Sequence, residues 1–463
     1  MDDTIAAIAT PLGEAGLAVI RISGPEALDV AERCFAPAGK GSIQPSKAPT
    51  HTLHFGHILD RGRVVDEVLL AVMREPRTFT RENVVEITCH GGLLPAKLVL
   101  DAVLHSGARL AEPGEFTRRA FLNGRIDLAQ AEAITDLIHS RTELALRAAS
   151  EQLAGKLSGH INALRNDMLQ SLAHIEAHID FPDEDIAPDT RAQLVARLQS
   201  SCARMDELLR RAPEGQILRR GIRGAIAGRP NAGKSSLLNQ LLGRDRAIVS
   251  PIPGTTRDTI EETANIRGLP VIFIDTAGLR EARDEIESEG IRRSRESFQK
   301  AEFILHVLDA SEPLTAADQT YLDEFNGKKR ILVLNKSDLP DRLNLAIQPE
   351  GIANRTQYSA ILRISCLTGE GLEPLKDAIK NLAWSGEIQA EMLEIMINSR
   401  HQDALERARE ASLRTIEALT EGASIELAAL DLRIAVNAIG EIVGQTTTED
   451  LLDVIFSQFC IGK

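Results

Sequence analysis

The stretch 223-RGAIAGRPNAGKSSLLNQLL-242 decides the fold of the central part of the chain. The aliphatic run RGAIA precedes 228-GRPNAGKS-235, which matches G-x-x-x-x-G-K-[ST], and the leucines of SSLLNQLL have helical spacing. Between a strand and a helix, this loop turns its backbone N–H groups toward phosphates, Lys234 reaches the β- and γ-phosphates, and Ser235 can bind Mg²⁺. We predict a P-loop nucleotide site formed by Asn231, Ala232, Gly233, Lys234, Ser235 and Ser236.

Three further motifs follow the P-loop, two of them at the ends of apolar runs. Thr256 in GTTRD can complete the Mg²⁺ shell, and 275-DTAG-278 after VIFI brings a carboxylate near the metal. In 335-NKSD-338 after ILVL, Asp338 can accept hydrogen bonds from guanine N1–H and N2–H₂, which adenine does not present. The motifs predict GTP with Mg²⁺ as the ligand. The predicted contacts from these segments are Thr256, Asp275, Thr276, Ala277, Gly278, Asn335, Lys336 and Asp338.

One more predicted contact to the base follows the run ILRI. There, Ser365 and Cys366 can offer a backbone N–H to guanine O6, and the predicted set extends to Leu367. Asn335 is expected to support the loop and Lys336 to pack over the ring. All of these elements come at the carboxyl ends of predicted parallel strands, where open α/β sheets bind ligands.

The residue after DTAG bears on how GTP would be hydrolysed. Many regulatory GTPases have Gln there to orient the attacking water, whereas this chain has Leu279. Water positioning must come from another residue, and Glu285, Glu287 and Glu289 lie just downstream. No arginine finger can be assigned within the chain, and a bound cation could replace one.

Changes of sequence pattern predict an α/β plus all-α organisation. Residues 216–382 alternate apolar runs with helical segments, which predicts a doubly wound parallel sheet. Helical blocks at 119–215 and 383–463 flank this segment, so we expect it to be inserted into one discontinuous helical domain. Residues 1–118 mix short strands such as 17-LAVIRISG-24 with Gly and Pro, and we expect a separate α/β domain there.

Within the first helical block, apolar residues from Leu153 to Ile179 recur every three or four positions and predict a buried face. A second helix is expected at about 191–212. The segment 212-APEGQILRRG-221 is interpreted as the entry to the next domain.

Composition excludes several classes of protein. The 463 residues include 53 Lys and Arg against 67 Asp and Glu, so any RNA contact must use a local basic patch. Five scattered cysteines without a CxxC predict a reducing compartment. Because no apolar run is long enough to span a membrane and the N-terminus is acidic, we expect a cytoplasmic protein without a membrane partner.

Taken together, the motifs resemble those of the MnmE (TrmE) family of bacterial tRNA-modification GTPases. The resemblance covers essentially the whole chain and is carried by GRPNAGKSSLLN, GTTRD, DTAGLRE, NKSD, 113-PGEFTRRAFLNGRIDLAQAEA-133, FPDED and the terminal CIGK. It implies an N-terminal tetrahydrofolate-binding domain, a discontinuous helical domain and an inserted G domain. It also implies a homodimer joined through the N-terminal domains, whose G domains meet when K⁺ and GTP are bound.

The resemblance further implies an activity and a partner. With the FAD-dependent protein MnmG, members modify C5 of the wobble uridine of tRNA, using a one-carbon unit from a 5,10-methylene- or 5-formyl-tetrahydrofolate. Motif by motif, it places K⁺ on Asn231, Ser250, Ile252 and Thr255. It implies that Glu287 orients water and that Arg280 is a switch residue, both acting with Lys234 in hydrolysis.

For folate, the family positions match Arg21, Glu86, Arg125 and Lys463, and Cys460 matches a cysteine considered part of the modification chemistry. Two positions depart from the family pattern. Ser250 replaces a usual Thr and Arg125 a frequent Lys, and Arg keeps the charge with a different geometry.

Two rival functions can be weighed against this one. A ribosome-assembly switch should carry a basic RNA-binding segment, whereas residues 383–463 contain 14 acidic and 6 basic residues. A small-molecule phosphotransferase would not need the guanine-selective Asp338 or the pair of Thr256 and Asp275. Binding of a reduced folate would separate these classes.

Overall fold

The computed structural model describes residues 3–39, 43–180, 190–243, 261–274, 298–315, 318, 328–343, 358–384, 395–421 and 424–462. The chain divides into two compact units. The first contains Met1–Thr135, Ser158–Leu198 and Glu410–Lys463, and the second contains Asp136–Leu157 and Gln199–Arg409. No helix among the described residues is long and apolar enough to cross a membrane. All five cysteines are free, and only Cys460 is exposed.

The first unit contains a seven-stranded sheet in the order β3-β4-β5-β6-β2-β1-β7. Neighbouring strands are antiparallel except for the parallel pair β1 and β7. Its aliphatic core lies between the sheet and helices α1 and α2, and includes Ile20, Ile87 and Val99. The strands are β1 Ile5–Ile8, β2 Leu17–Ser23, β3 Phe35–Pro37, β4 Thr52–Asp60, β5 Arg63–Met73, β6 Val84–His90 and β7 Arg109–Leu110.

Helices make up most of the described residues outside the sheets. Those before the P-loop are α1 Ala27–Cys34, α2 Leu93–His105, α3 Glu115–Leu122, α4 Leu128–His139, α5 Glu143–Leu153, α6 Lys156–Asp180 and α7 Thr190–Arg220, with a 3₁₀ turn at Pro45–Lys47. The later ones are α8 Lys234–Leu242, α9 Leu372–Ala383, α10 Ser399–Glu421, α11 Ile425–Val443 and α12 Glu449–Phe456. The predicted mixed α/β and helical fold is confirmed.

The second unit contains a six-stranded sheet in the order β13-β12-β11-β8-β10-β9. All neighbours are parallel except the antiparallel edge pair β9 and β10. The apolar runs RGAIA, VIFI, ILVL and ILRI fall on β8, β10, β12 and β13, as predicted, and FILHVLD forms β11. The strands are β8 Ile222–Ala227, β9 Glu262–Ile266, β10 Leu269–Phe273, β11 Phe303–Asp309, β12 Lys329–Asn335 and β13 Ala360–Arg363.

Strand β9 was not predicted, because ETANI carries three polar residues in five and looks like a loop. Its turn into β10 uses Arg267 and Gly268, both with positive φ of 54° and 87°. The side chain of Asn265 accepts a hydrogen bond from the Gly268 N–H at 2.8 Å and closes this turn. Pairing to the buried β10, rather than a strong local pattern, makes ETANI a strand.

Two helix boundaries differ from the sequence-based expectation. The predicted helix at about 191–212 continues through Pro213 to Arg220, because Leu218 still has a buried side chain. It ends at Gly221, whose φ is 75°, a conformation that favours glycine. The apolar stripe from Leu153 to Ile179 is divided between α5 and α6, and its members from Leu157 to Ile175 are buried.

Candidate functional site

The P-loop joins β8 to α8 and is shaped by close backbone approaches. Gly228 has φ 145°, and a Cβ there would lie 2.3 Å from the carbonyl oxygen of Val307 on β11. Gly233 has φ 95°, and a Cβ there would lie 2.1 Å from Nδ2 of Asn335. Both positions therefore require glycine. The loop ends in the N-terminus of α8, where the orientation of the backbone N–H groups and the helix dipole favour an anion.

Lys234 is held at the mouth of this loop by the loop's own backbone. Its Nζ donates hydrogen bonds to the carbonyl oxygens of Gly228 at 2.7 Å and Arg229 at 2.8 Å. Partial burial lowers the pKa of Lys234 from its ordinary value. Exchanging two neutral carbonyls for phosphate oxygens would favour its charged form, which suits the predicted role in phosphate binding.

Asn335 connects the P-loop to the segment after β13. It ends β12 with a buried side chain, and its Nδ2 donates to the carbonyl oxygen of Ala232 at 2.9 Å. Its Oδ1 accepts the N–H of Cys366 at 3.2 Å. One side chain thus holds together two predicted nucleotide-binding segments that lie far apart in sequence. The expected supporting role of Asn335 agrees with this arrangement.

Asp338 is exposed at the same edge of the sheet, and one of its oxygens is fixed. Its Oδ1 accepts the hydroxyl of the buried Ser365 at 2.6 Å. That hydroxyl in turn accepts the N–H of Thr368 at 3.1 Å. The carboxylate is therefore oriented and still has lone pairs facing outward, as an acceptor for the two guanine donors must have.

The N–H groups of Ser365 and Cys366 are engaged within the protein, which differs from the predicted contact to guanine O6. Ser365 N–H donates to the carbonyl oxygen of Glu370 at 3.0 Å, and Cys366 N–H donates to Asn335. The side chain of the next residue, Leu367, is 84% exposed. Burial, followed by the charge of Asp338, raises the pKa of the Cys366 thiol to about 11, so this thiol is neutral at physiological pH.

Several predicted residues of this site lie outside the described residues. They are Ser250, Ile252, Thr255, Thr256, Asp275, Thr276, Ala277, Gly278, Leu279, Arg280 and Glu287. Among the described ones, Asn231 has an exposed side chain and φ 64°, and Ser235 and Ser236 occupy the first turn of α8.

In the first unit, three of the four predicted folate residues can be placed, and two aromatic rings join them. Arg21 on β2 and Glu86 on β6 are directly paired in register, and Nη2 lies 2.8 Å from Oε1. The Arg21 guanidinium lies 5.7 Å from the ring centres of both Phe79 and Phe116. Arg125 lies 4.8 Å from the same Phe79 ring, and its Nη1 donates to the Phe79 carbonyl at 2.9 Å.

Phe79 is the residue of this cluster that the sequence did not indicate. It lies in the loop between β5 and β6 and is half-buried between the two arginines. Its signal was weak: a single aromatic in 77-RTFTR-81, within a chain of few aromatics. Burial, followed by the charge of Arg81, lowers the pKa of Arg125 from its ordinary value, although an arginine stays charged.

Residues 460–462 of the C-terminal CIGK segment lie against the N-terminal sheet. The N–H of Gly114 donates to the carbonyl oxygen of Cys460 at 3.4 Å. A Cβ on Gly462 would lie 2.4 Å from the carbonyl oxygen of Ile8 at the end of β1. The next strand, β2, carries Arg21, paired in register with Ala7 of β1. Cys460 is exposed, and Lys463 lies outside the described residues.

Comparison with known proteins covers the whole chain. Residues 128–460 match the family model of the MnmE helical domain, and residues 4–125 match that of the GTP-binding protein TrmE N-terminus. The tRNA modification GTPase MnmE of Geobacillus thermodenitrificans (strain NG80-2) is 47% identical, covering 100% of this chain and 99% of the relative. The protein of the same name from Bacillus subtilis (strain 168) is 44% identical, with 100% of both chains covered.

Proposed function

The chain belongs to the MnmE family of tRNA modification GTPases, and from this premise we propose that it is a potassium-activated GTPase that modifies tRNA with a partner protein. The proposed reaction adds an aminomethyl or carboxymethylaminomethyl group to C5 of the wobble uridine. The FAD-dependent protein MnmG would be the partner, and a reduced folate would supply the one-carbon unit. The observation that carries the proposal is the convergence of the P-loop, Asn335 and Asp338 at one edge of the parallel sheet.

Guanine selectivity is assigned to Asp338, which Ser365 orients with its hydroxyl. Because the N–H groups of Ser365 and Cys366 are used internally, we assign the contact to guanine O6 to the backbone of Leu367. In Asp338→Asn, the amide can donate where xanthine presents a carbonyl. The variant should bind GTP less well and xanthosine triphosphate relatively better. An unchanged preference would remove Asp338 from the base site.

Two cations would complete the site, and the donor atoms fit them. Mg²⁺ would be held by the Ser235 hydroxyl and Thr256, with Asp275 nearby, and would offset charge on the phosphates. The exposed amide oxygen of Asn231 suits K⁺, with Ser250, Ile252 and Thr255 as further oxygen donors. Lys234 would neutralise the β- and γ-phosphates while α8 presents its N–H groups to them.

Water activation is needed from another residue, because the side chain of Leu279 has no polar atom to orient a water molecule. Of the downstream Glu285, Glu287 and Glu289, we assign it to Glu287, which matches the family position. The guanidinium of Arg280 is assigned a switch role nearby. Loss of the Glu287 carboxylate should slow hydrolysis by about 100-fold, in the range typical of general acid-base groups, and leave nucleotide affinity near wild type.

A reduced folate is assigned to the cluster of Arg21, Glu86, Arg125 and Phe79, together with Lys463. Two guanidinium groups beside one aromatic ring offer both charge and stacking to an aromatic, anionic ligand. Gly462 brings the chain end next to β1, and this supports a role of the CIGK segment, including Cys460, at the same site.

A homodimer through the N-terminal domains is supported by the outer face of their sheet. Leu53, Phe55 and Leu69 are 62%, 47% and 41% exposed, and Phe55 and Leu69 are paired in register. Adjacent exposed apolar side chains of this size mark protein interfaces. We place the protein in the cytoplasm, where tRNA modification occurs.

The experiment that tests the proposal compares GTP turnover in KCl and NaCl at equal ionic strength. Turnover should be at least about tenfold faster in KCl, because a cation can offset the transition-state charge that an arginine finger, for which the sequence offers no assigned residue, would otherwise offset. Asn231→Ala should lose this difference, whereas Asn239→Ala, which changes an exposed asparagine on the following helix α8, should keep it. Equal turnover in the two salts would refute the potassium site.

A further inference from the structure

A buried carboxylate at the end of β11 is used by none of the motifs that identify the nucleotide site. Asp309 is 3% exposed and is paired in register with Asn335 at the end of the neighbouring strand β12. Its Oδ1 accepts both the N–H of Ser311 at 3.0 Å and the Ser311 hydroxyl at 2.6 Å. Oδ2 of Asp309 accepts a hydrogen bond from Nζ of Lys336 at 2.6 Å.

Asp309 carries its negative charge in spite of this burial. Burial opposes ionisation, but the hydrogen bonds from Lys336 and Ser311 together hold the pKa of Asp309 below its ordinary value. Both oxygens have donors, which a buried carboxylate requires. Asp309 is therefore a fixed point charge whose orientation is set by Ser311 before any ligand binds.

Lys336 is the second residue of the NKSD segment, and its backbone is held on both sides. Its φ is 65°, a conformation unusual for a residue with a side chain. On one side, the carbonyl oxygen of Asn335 accepts the N–H of Ala310 at 2.9 Å. On the other side, the N–H of Ser337 donates to the carbonyl oxygen of Ile364 at 3.0 Å. The Lys336 side chain therefore starts from a fixed backbone and ends on a fixed carboxylate.

We propose that Asp309 is a positioning residue for guanine nucleotides: it holds the Lys336 ammonium so that the hydrocarbon stem of Lys336 covers one face of the base. This inference rests on the proposed GTP-binding function and adds to it a residue that does not touch the ligand. A free lysine loses the freedom of four side-chain bonds on binding, whereas a tethered one has lost most of it beforehand.

The proposal predicts which nucleotides are affected and by how much. GDP and GTP share the base, so both should lose affinity to the same extent when the tether is removed. A loss of affinity of about tenfold corresponds to the conformational entropy that one lysine side chain loses when it is ordered. In turnover experiments, the change should fall mainly on KM for GTP rather than on kcat.

The test is a double-mutant cycle on GDP affinity, measured with fluorescently labelled GDP on the full chain. The variants are Asp309→Asn, Lys336→Met and the combination of both. Asp309→Asn should weaken GDP binding about tenfold in the wild-type background and have no further effect in the Lys336→Met background. Asp377→Asn, which removes the partner of Arg267 at 2.7 Å on the same domain, is the control and should bind GDP like the wild type.

Equal losses from Asp309→Asn in both backgrounds would overturn the proposal, because Asp309 would then act on the fold and not through Lys336. An unchanged GDP affinity would overturn it as well. If Asp309→Asn does not fold, Ser311→Ala replaces it. It removes the hydroxyl that donates to Asp309 at 2.6 Å without changing charge, and should cost about threefold only when Lys336 is present. A wild-type protein that binds GDP no better than ADP would contradict the proposed function itself, whereas a guanine-selective protein with additive losses would contradict this inference alone.

Discussion

The nucleotide site of the second unit and the arginine cluster of the first are built in opposite ways. The P-loop is a contiguous segment whose backbone forms the binding surface, and Gly228 and Gly233 let neighbouring groups approach closely. The cluster consists of side chains: Arg21 and Arg125 come from positions 104 residues apart and meet at Phe79. A site made of backbone should lose most of its affinity when a single side-chain atom is added. A site made of side chains should lose part of its affinity for each side chain that is removed.

The largest effect is expected for Gly228→Ala. The added Cβ would lie 2.3 Å from the carbonyl oxygen of Val307, and the φ of 145° is strained for any residue with a side chain. Because a strand backbone cannot move aside, the loop must deform, and GDP affinity should fall at least about 100-fold. Fluorescent GDP binding measures this loss.

Gly159→Ala is the matched control for that substitution. Gly159 lies within α6, and a Cβ there would have no atom within 4 Å. Alanine in a helix interior is favoured over glycine by about 0.5–1 kcal/mol, so this variant should unfold at a slightly higher temperature and bind GDP normally. A Gly228→Ala protein with wild-type GDP affinity would show that the backbone does not form the site.

The same contrast explains how much the sequence could predict. The P-loop, Asn335 and Asp338 were predicted because each follows an apolar strand within a short segment. Asp309 could not be recognised, because its role depends on the register of β11 with β12, which brings it beside Lys336. Phe79 was missed for a related reason: its partners come from a strand and from a turn that adjoin it only in three dimensions.

Strand β9 and the end of α7 illustrate the limits at the level of the fold. The sequence ETANI has no strong strand pattern, and its conformation follows from pairing with β10. The segment 212–221 was interpreted as the entry to the next domain, but packing of Leu218 carries α7 on to Arg220. In both places tertiary contacts outweigh local preference.

The second prediction concerns Arg21→Met, which removes a charge from the side-chain cluster. Loss of a charge-assisted hydrogen bond costs about 1.5–3 kcal/mol, so the affinity for 5-formyl-tetrahydrofolate should fall about 10- to 100-fold. Isothermal titration calorimetry measures the affinity. Arg33→Met removes an exposed arginine of the same domain, paired to Glu26 at 3.2 Å, and should bind the folate normally. Equal affinities for the two variants would remove Arg21 from the site.

A smaller effect is expected for Phe79→Leu, which keeps an apolar side chain but removes the ring shared by Arg21 and Arg125. Cation–π contacts at partly exposed positions contribute about 0.5–1 kcal/mol each, so loss of both should lower the folate affinity about 5- to 30-fold. Phe298→Leu, a change of the same kind at a half-buried phenylalanine of the second unit, should leave it unaltered. If the cluster is only a structural contact, both leucine variants will bind folate like the wild type.

The smallest effect is expected from a change of pH, because the two units contain groups that titrate in different pH ranges. His90 lies at the end of β6, and its Nδ1 is 2.7 Å from Oδ1 of Asp66. The hydrogen bond and charge of Asp66 raise the pKa of His90 above its ordinary 6.5. In contrast, the pKa of Lys234 is lowered from its ordinary 10.5 and the pKa of Asp309 is lowered from its ordinary 3.8. The pKa of the Cys366 thiol is raised to about 11. Between pH 6 and 8, the N-terminal sheet should therefore respond to pH through His90 while GDP affinity stays nearly constant.

The sign follows from the direction of the shift. A pKa raised by folding means that the ion pair stabilises the native state fully below about pH 6.5, and that this contribution is lost as pH rises through the folded pKa. The titration of His90, followed by NMR of ¹³C-labelled histidine, should have a higher midpoint in the wild type than in Asp66→Asn. The difference in unfolding temperature between the two proteins should be larger at pH 6 than at pH 8. Equal midpoints would mean that Asp66 does not hold the imidazolium, and pH would then no longer distinguish the N-terminal sheet from the nucleotide site.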